Sequence, residues 1–156
     1  MTSGHREEPS AGVLIGREHH LGVRIYYEDT DFTGLVYHAN YLRYFERGRS
    51  DFLRLLGVGH ADLHDRDAAA FVIARMEIDF RRPARIDDAL TVVSTYERMT
   101  AVRLDARQRI FRGEELLCTA QVHAACIDLN GRPRRASPEL VARIRPILPP
   151  PEPEAG

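Results

Sequence analysis

A chain of 156 residues is long enough to bury a full hydrophobic core and short for two, so one domain is expected. With 44% hydrophobic and 29% charged residues its balance is that of a water-exposed globular protein, and no apolar run approaches the ~20 residues that span a bilayer, so no membrane insertion is expected. A net charge of −1 argues against general nucleic-acid binding, although all 22 basic residues are Arg, whose planar guanidinium suits phosphate oxygens.

Residues 1–18 read as a flexible leader. Glu7, Glu8 and Pro9 fall early in it and no continuous apolar segment does, so a secretory signal is not expected and a cytoplasmic location is. "HLGVRIYYE", residues 20–28, alternates as a first strand and runs into the acidic loop "DTDFTG". From Tyr37 the period changes: Tyr41, Phe45, Gly48, Phe52 and Leu55 or Leu56 recur at helical spacing, with Arg43, Glu46, Arg47, Ser50, Asp51 and Arg54 mostly opposite. A helix of about five turns is expected from Tyr37 or His38 to the stop at Gly57. Gly48 in its middle costs ~1 kcal/mol relative to Ala unless the helix lies tightly on a sheet.

After a short connection, four β segments follow: residues 70–84, 88–99, 100–112 and 115–129. Turns at Pro83–Asp88, Met99–Ala101 and Arg112–Glu114 divide them in the manner of an antiparallel meander. Cys118 and Cys126 fall on one face of the last strand, too far apart to bond, and read as small buried hydrophobes. An Asn-Gly turn leads to a short helix with Ser137 as N-cap and Pro138 at its first position, and residues 146–156 form a proline-rich tail. The domain proper is therefore expected over residues 19–145, as an α+β fold whose long helix covers one face of a curved antiparallel sheet. A sheet covered on one face leaves a surface or edge for a homo-oligomeric partner.

The start of the long helix presents unpaired N–H groups and a partial positive charge, and Gly34 lets the backbone from Asp31 fold back toward it. Two readings stay open from spacing alone. Asp29, Thr30 or Asp31 caps the helix, or a carboxylate and the helix end act together on a carbonyl, one attacking or deprotonating water while the other polarises.

The run "YYEDTDFTGLVYHANYLRYFERGRSDFL" resembles the signature of the hotdog-fold acyl-CoA thioesterases, within them the 4-hydroxybenzoyl-CoA thioesterase-like group that includes the Tol-Pal-associated branch. Asp29, Asp31, Gly34, Val36, Tyr37, His38 and Tyr41 carry it, supported by the following helix and by "DFRRPARIDDALTV". The resemblance implies a curved sheet wrapped around a central helix, acyl-CoA as substrate, no cofactor or metal, a homotetramer built as a dimer of dimers, and cell-envelope partners. It implies that Asp31 is the catalytic nucleophile or general base and that the His38 N–H, with its ring second, polarises the thioester. Gly34, Val36, Tyr37 and Glu46 are candidates to position substrate, with Glu46 alternatively pairing with Arg49. Arg81, Arg82 and Arg85 are candidates for the coenzyme A phosphates. His60 and His64 have i,i+4 spacing but no accompanying acidic or Cys set in a metal pattern. A non-catalytic acyl-CoA-binding scaffold and a hotdog hydratase or dehydratase are the alternatives.

Overall fold

The computed structural model describes residues 7–151. In chain order these form β1 (Val13–Ile15), β2 (Glu18–Arg24), a 3-10 turn at Tyr27–Asp29, α1 (Asn40–Leu55), α2 (His60–Asp67) and β3 (Ala69–Phe80). β4 (Ala89–Met99), β5 (Arg103–Arg112), β6 (Glu115–Asp128), α3 (Pro138–Ile144) and a 3-10 turn at Arg145–Ile147 complete them. The six strands make one antiparallel sheet in the order β1-β2-β4-β5-β6-β3. α1 lies across it, burying Tyr41, Tyr44, Phe45, Phe52 and Leu53 against Val92, Ile110 and Leu117. This is the hotdog arrangement of one long helix held in a sheet.

Gly48 shows how close the approach is. A Cβ placed there would stand 2.9 Å from a Val92 methyl, 3.0 Å from Ser94 Oγ and 3.1 Å from Gln108 Nε2. The glycine that a free helix would disfavour is thus where α1 meets β4 and β5. Gln108, fully buried, locks the contact: its Nε2 donates to the Phe45 carbonyl and to Ser94 Oγ, each at 2.8 Å, while its Oε1 accepts from Arg49 Nη1 at 2.9 Å. All hydrogen-bonding atoms of the amide are used, so its burial carries little penalty.

Four expectations need correction. The stretch expected as leader contains β1, whose three exposed apolar residues give no alternation to read. It is held by pairing with β2 and by Gly12 N–H donating to Asp51 Oδ2 at 2.8 Å. The same carboxylate oxygen meets Nε2 of the fully buried His19 at 2.6 Å, and the His19 ring stacks on Phe52, which stacks on Tyr96. α1 begins at Asn40 rather than at Tyr37 or His38, because Tyr37 to Ala39 form a turn whose carbonyls accept from Asn40, Tyr41 and Leu42. The strands are not a simple meander either. β3 pairs with β6, so residues 81–88 cross the end of the sheet instead of making a hairpin. That crossover is pinned where the Arg81 N–H donates to Leu117 O and where Ile25 exchanges bonds with Asp87 and Asp88. Finally, the expected tail begins with a 3-10 turn that buries Ile147. Cys118 and Cys126 are free and buried as expected, and burial pushes the Cys118 thiol up to about 12.

Replacing Gly48 with Ala tests the packing. Alanine gains ~1 kcal/mol of helix propensity, but overpacking of about 1–3 kcal/mol outweighs it. The variant is expected to unfold at lower denaturant concentration, with an unchanged midpoint or a higher one refuting the close approach.

Candidate active site

The loop before α1 is organised by Asp29, which is buried. Its Oδ2 accepts from the Tyr26 N–H at 2.7 Å, and its carbonyl accepts from the Tyr37 N–H and from Asn40 Nδ2, both at 2.9 Å. One residue thereby fastens both ends of the loop, consistent with an organiser of the turn rather than a second reactive carboxylate. Between those ends Thr30 bridges Val36, and the Asp31 N–H donates to Leu35 O. Gly34, at a φ of +81° that favours glycine, closes the bend with its N–H on Asp31 O. The Val36 N–H then donates to Ala84 O, and the Ala84 N–H donates to the Tyr41 hydroxyl at 3.0 Å, so the loop and the 81–88 crossover are fixed to each other.

Asp31 sits at the exposed turn of this loop. Its Oδ1 accepts from the Thr33 N–H at 2.8 Å and from the Thr33 hydroxyl. These bonds, the hydroxyl foremost, hold its carboxyl below the ordinary 3.8, with the charge of nearby His38 adding a little. The group is therefore ionised at neutral pH. Its Oδ2 accepts no hydrogen bond among the described residues and faces solvent.

His38 is exposed in the turn preceding α1, its ring 4.7 Å from that of Tyr37 and edge-on to Phe80 at 6.3 Å. Its N–H has no acceptor among the described residues, and the N-terminal end of α1 lies just beyond it. An ionised, accessible carboxylate near an uncommitted amide donor at a helix start is the equipment that attack on a carbonyl requires.

Val36, His38, Tyr41, Phe80, Arg81 and Arg82 line one open groove of about 250 Å³. The structure thus brings Val36, His38, Arg81 and Arg82 together, with Asp31 within electrostatic reach of His38, Gly34 at the bend beyond and Tyr37 exposed beside the ring. Arg85 lies on the crossover, bridged through its backbone to Leu35. Arg82 is paired with Glu115 at 2.9 Å, whereas Arg81 and Arg85 have no carboxylate partner among the described residues. Glu46 does not reach the groove of its own chain; it stands further along α1 at the rim of a different cavity and makes no ion pair with Arg49. His60 and His64 turn to Ser50 and Asp65 respectively. Thr33, Asn40 and Phe80 are site residues the sequence reading did not single out. Asp-x-Thr is the spacing of a side-chain-capped turn and is legible; Phe80 is distant in sequence and carries no such sign.

A family model described as the thioesterase-like superfamily matches residues 25–152. The chain belongs to that superfamily. It is 39% identical over 119 residues, 76% of its length and 88% of the relative's, to the acyl-CoA thioesterase YbgC of Haemophilus influenzae. It is 38% identical over 125 residues, 79% of its length and 92% of the relative's, to the acyl-CoA thioester hydrolase YbgC of Escherichia coli. The crystal structure of a probable thioesterase from Bartonella henselae superposes with a TM-score of 0.75 at 44% identity, covering 77% of this chain and 99% of that one.

If Thr33 sets the ionisation of Asp31, removing only its hydroxyl in Thr33→Val raises the carboxyl pKa toward 3.8. Carbon NMR titration of Asp31 reads this directly, and an unmoved titration would show that the Thr33 bond is not the cause.

Proposed function

We propose that the protein is an acyl-CoA thioesterase and that Asp31 and the His38 N–H are its working pair. The observation that carries the proposal is an ionised Asp31, one oxygen held by Thr33 and the other open, within electrostatic reach of His38, whose N–H in the turn before α1 has no acceptor among the described residues. The thioester carbonyl takes the hydrogen bond from His38 N–H, which withdraws charge as the tetrahedral centre forms. Asp31 either attacks the carbonyl carbon, giving a mixed anhydride that water then opens, or takes a proton from the water that attacks. Both routes consume one water and release the free acid and the CoA thiol. Gly34, Val36 and Tyr37 shape the approach to this pair, and the His38 ring assists. Arg81 and Arg85, without carboxylate partners among the described residues, are the better phosphate ligands; Arg82 must leave Glu115 to join them. Placement in the Tol-Pal-associated branch, with cell-envelope partners, is a finer part of the proposal and rests on the motif from Asp29 to Tyr41.

The active unit is a homo-oligomer, assembled as a dimer of dimers. β3 is a twelve-residue edge strand that exposes Val72 and Ile73, a surface suited to pairing with a second copy. Phe32, wholly exposed next to Asp31, and Tyr27, 83% exposed, also call for cover. Antiparallel pairing of β3 with itself would lay the Phe80 end of one copy, which borders the His38 groove, beside the Phe71 end of the other. That would bring the partner's Glu46 toward this groove and restore its positioning role.

Free-thiol release from a panel of acyl-CoAs is expected for the wild type, with a loss of at least ~10²-fold in Asp31→Asn, the scale of a missing base. Undiminished turnover in the variant would reject the site. Hydration of an enoyl-CoA without thiol release would favour a hydratase, and tight binding with no reaction would favour a scaffold. For the assembly, Val72→Asp is expected to lower the mass measured by light scattering to that of smaller units. An unaltered mass would exclude β3 as the pairing edge.

A further inference from the structure

Four charged side chains, Arg82, Glu115, Arg112 and Asp88, form one linked network, and one of them, Arg82, lines the His38 groove. Arg112 ends β5 and Glu115 opens β6. Glu115 sits between two guanidinium groups: its Oε1 accepts from Arg82 Nη1 at 2.9 Å and its Oε2 from Arg112 Nη2 at 2.8 Å. Arg112 is itself anchored, its Nη1 donating to Asp88 Oδ2 at 2.8 Å and to Pro83 O at 3.3 Å. Asp88 Oδ2 also accepts from the Arg85 N–H at 2.8 Å, which ties the network to the far end of the crossover. The bond from Arg112, then that from Arg82, holds the Glu115 carboxyl below its ordinary range, so it is ionised at neutral pH.

The two arginines differ in how firmly they are held. Arg112 has acceptors on Glu115, Asp88 and Pro83 and a side chain 32% exposed, whereas the Arg82 side chain is 66% exposed and has Glu115 alone among the described residues. The Arg82 backbone is fixed, since its N–H and that of Arg81 both donate to Leu117 O, at 3.1 and 2.8 Å. Only the Arg82 side chain need turn for an anion in the groove to take it, and Glu115 then keeps Arg112 as its partner. An exposed pair of this kind is weak, so a competing phosphate can break it.

We infer that Glu115 is a specificity-determining residue, a built-in competitor that holds Arg82 back from the phosphates of the carrier and thereby limits retention of free coenzyme A after hydrolysis. The assignment rests on the thioesterase function and the phosphate ligands proposed above. Coenzyme A carries the same phosphates as thioester and as free thiol, so an arginine that grips them binds substrate and product alike. Such a grip lowers KM without speeding the chemical step, and it slows departure of the product. A carboxylate competing for that arginine offsets the grip equally in both. It changes nothing for a thioester whose carrier lacks phosphate, because nothing then draws Arg82 away.

The test follows thiol release and product inhibition with two substrates sharing one acyl group, a CoA thioester and the corresponding pantetheine thioester, which has no phosphate. In Glu115→Gln, KM for the CoA thioester and the inhibition constant of free CoA are both expected to fall by about threefold, the scale of an exposed ion pair. KM for the pantetheine thioester is expected to stay where it is. In Arg82→Gln the KM for the CoA thioester is expected to rise, and adding Glu115→Gln to that variant to have no further effect, since competition needs both residues. A substitution that merely loosened the turn between β5 and β6 would instead shift both substrates alike, with or without Arg82. Constants that stay put or rise in Glu115→Gln, a fall shared by the pantetheine thioester, or a fall that persists in the Arg82→Gln background would each overturn the inference while leaving the thioesterase function standing. Absence of thiol release from every acyl-CoA by the wild type would remove that function and the inference with it.

Discussion

The contact between α1 and the sheet at Gly48 is the constraint on which the rest depends. A helix that must approach β4 and β5 this closely can carry no side chain at that point, and it needs a polar anchor to set its register along the sheet. Gln108 supplies the anchor by bonding a backbone carbonyl of the helix itself, which fixes α1 lengthwise as well as in depth. Because the helix is fixed, its first turn and the residues leading into it are fixed too. The position of His38 relative to the groove is in this sense decided ten residues further along the chain.

The loop carrying Asp31 is stabilised by a different means. It has almost no core of its own, since Phe32 and Tyr27 face outward, and its shape comes from hydrogen bonds converging on Asp29 and from the crossover that Tyr41 holds. Such a loop presents a carboxylate at the surface in a defined conformation without burying it. Exposure keeps the charged form well solvated, and the Thr33 bonds favour it further. The two carboxylates two residues apart are thus separated by environment: Asp29 is enclosed and spent on structure, Asp31 is open.

Much of this was legible in the residues. The change from alternating to helical spacing near Tyr37, the stop at Gly57, the Ser137-Pro138 start and the late strands all mark local structure, and local patterns are what sequence carries. Gly48 was legible as a question, because its helical cost implied a compensating contact. The pairing of β3 with β6 was not legible, since strand order is a property of long-range contacts and the 81–88 segment has the composition of an ordinary turn. β1 escaped notice because three exposed apolar residues have no periodicity. The helix start was displaced by two or three residues because Ala39 has no capping side chain to mark it. At the site, Asp31 and His38 stood out through their motif, whereas the lodging of Glu46 in a separate cavity depends on how far α1 carries it from its own loop.

Gly12 has a reach that its place in a short, exposed hairpin does not advertise. A methyl there would collide with His20 O, His19 Nε2 and Asp51 Oδ2, so the position tolerates no side chain. Behind it the rings of His19, Phe52 and Tyr96 are stacked face to face at 5.0 and 4.6 Å. The residue leading into β1 thus abuts one end of a ring column whose other end, Tyr96, lines a cavity together with Arg49 and Glu46.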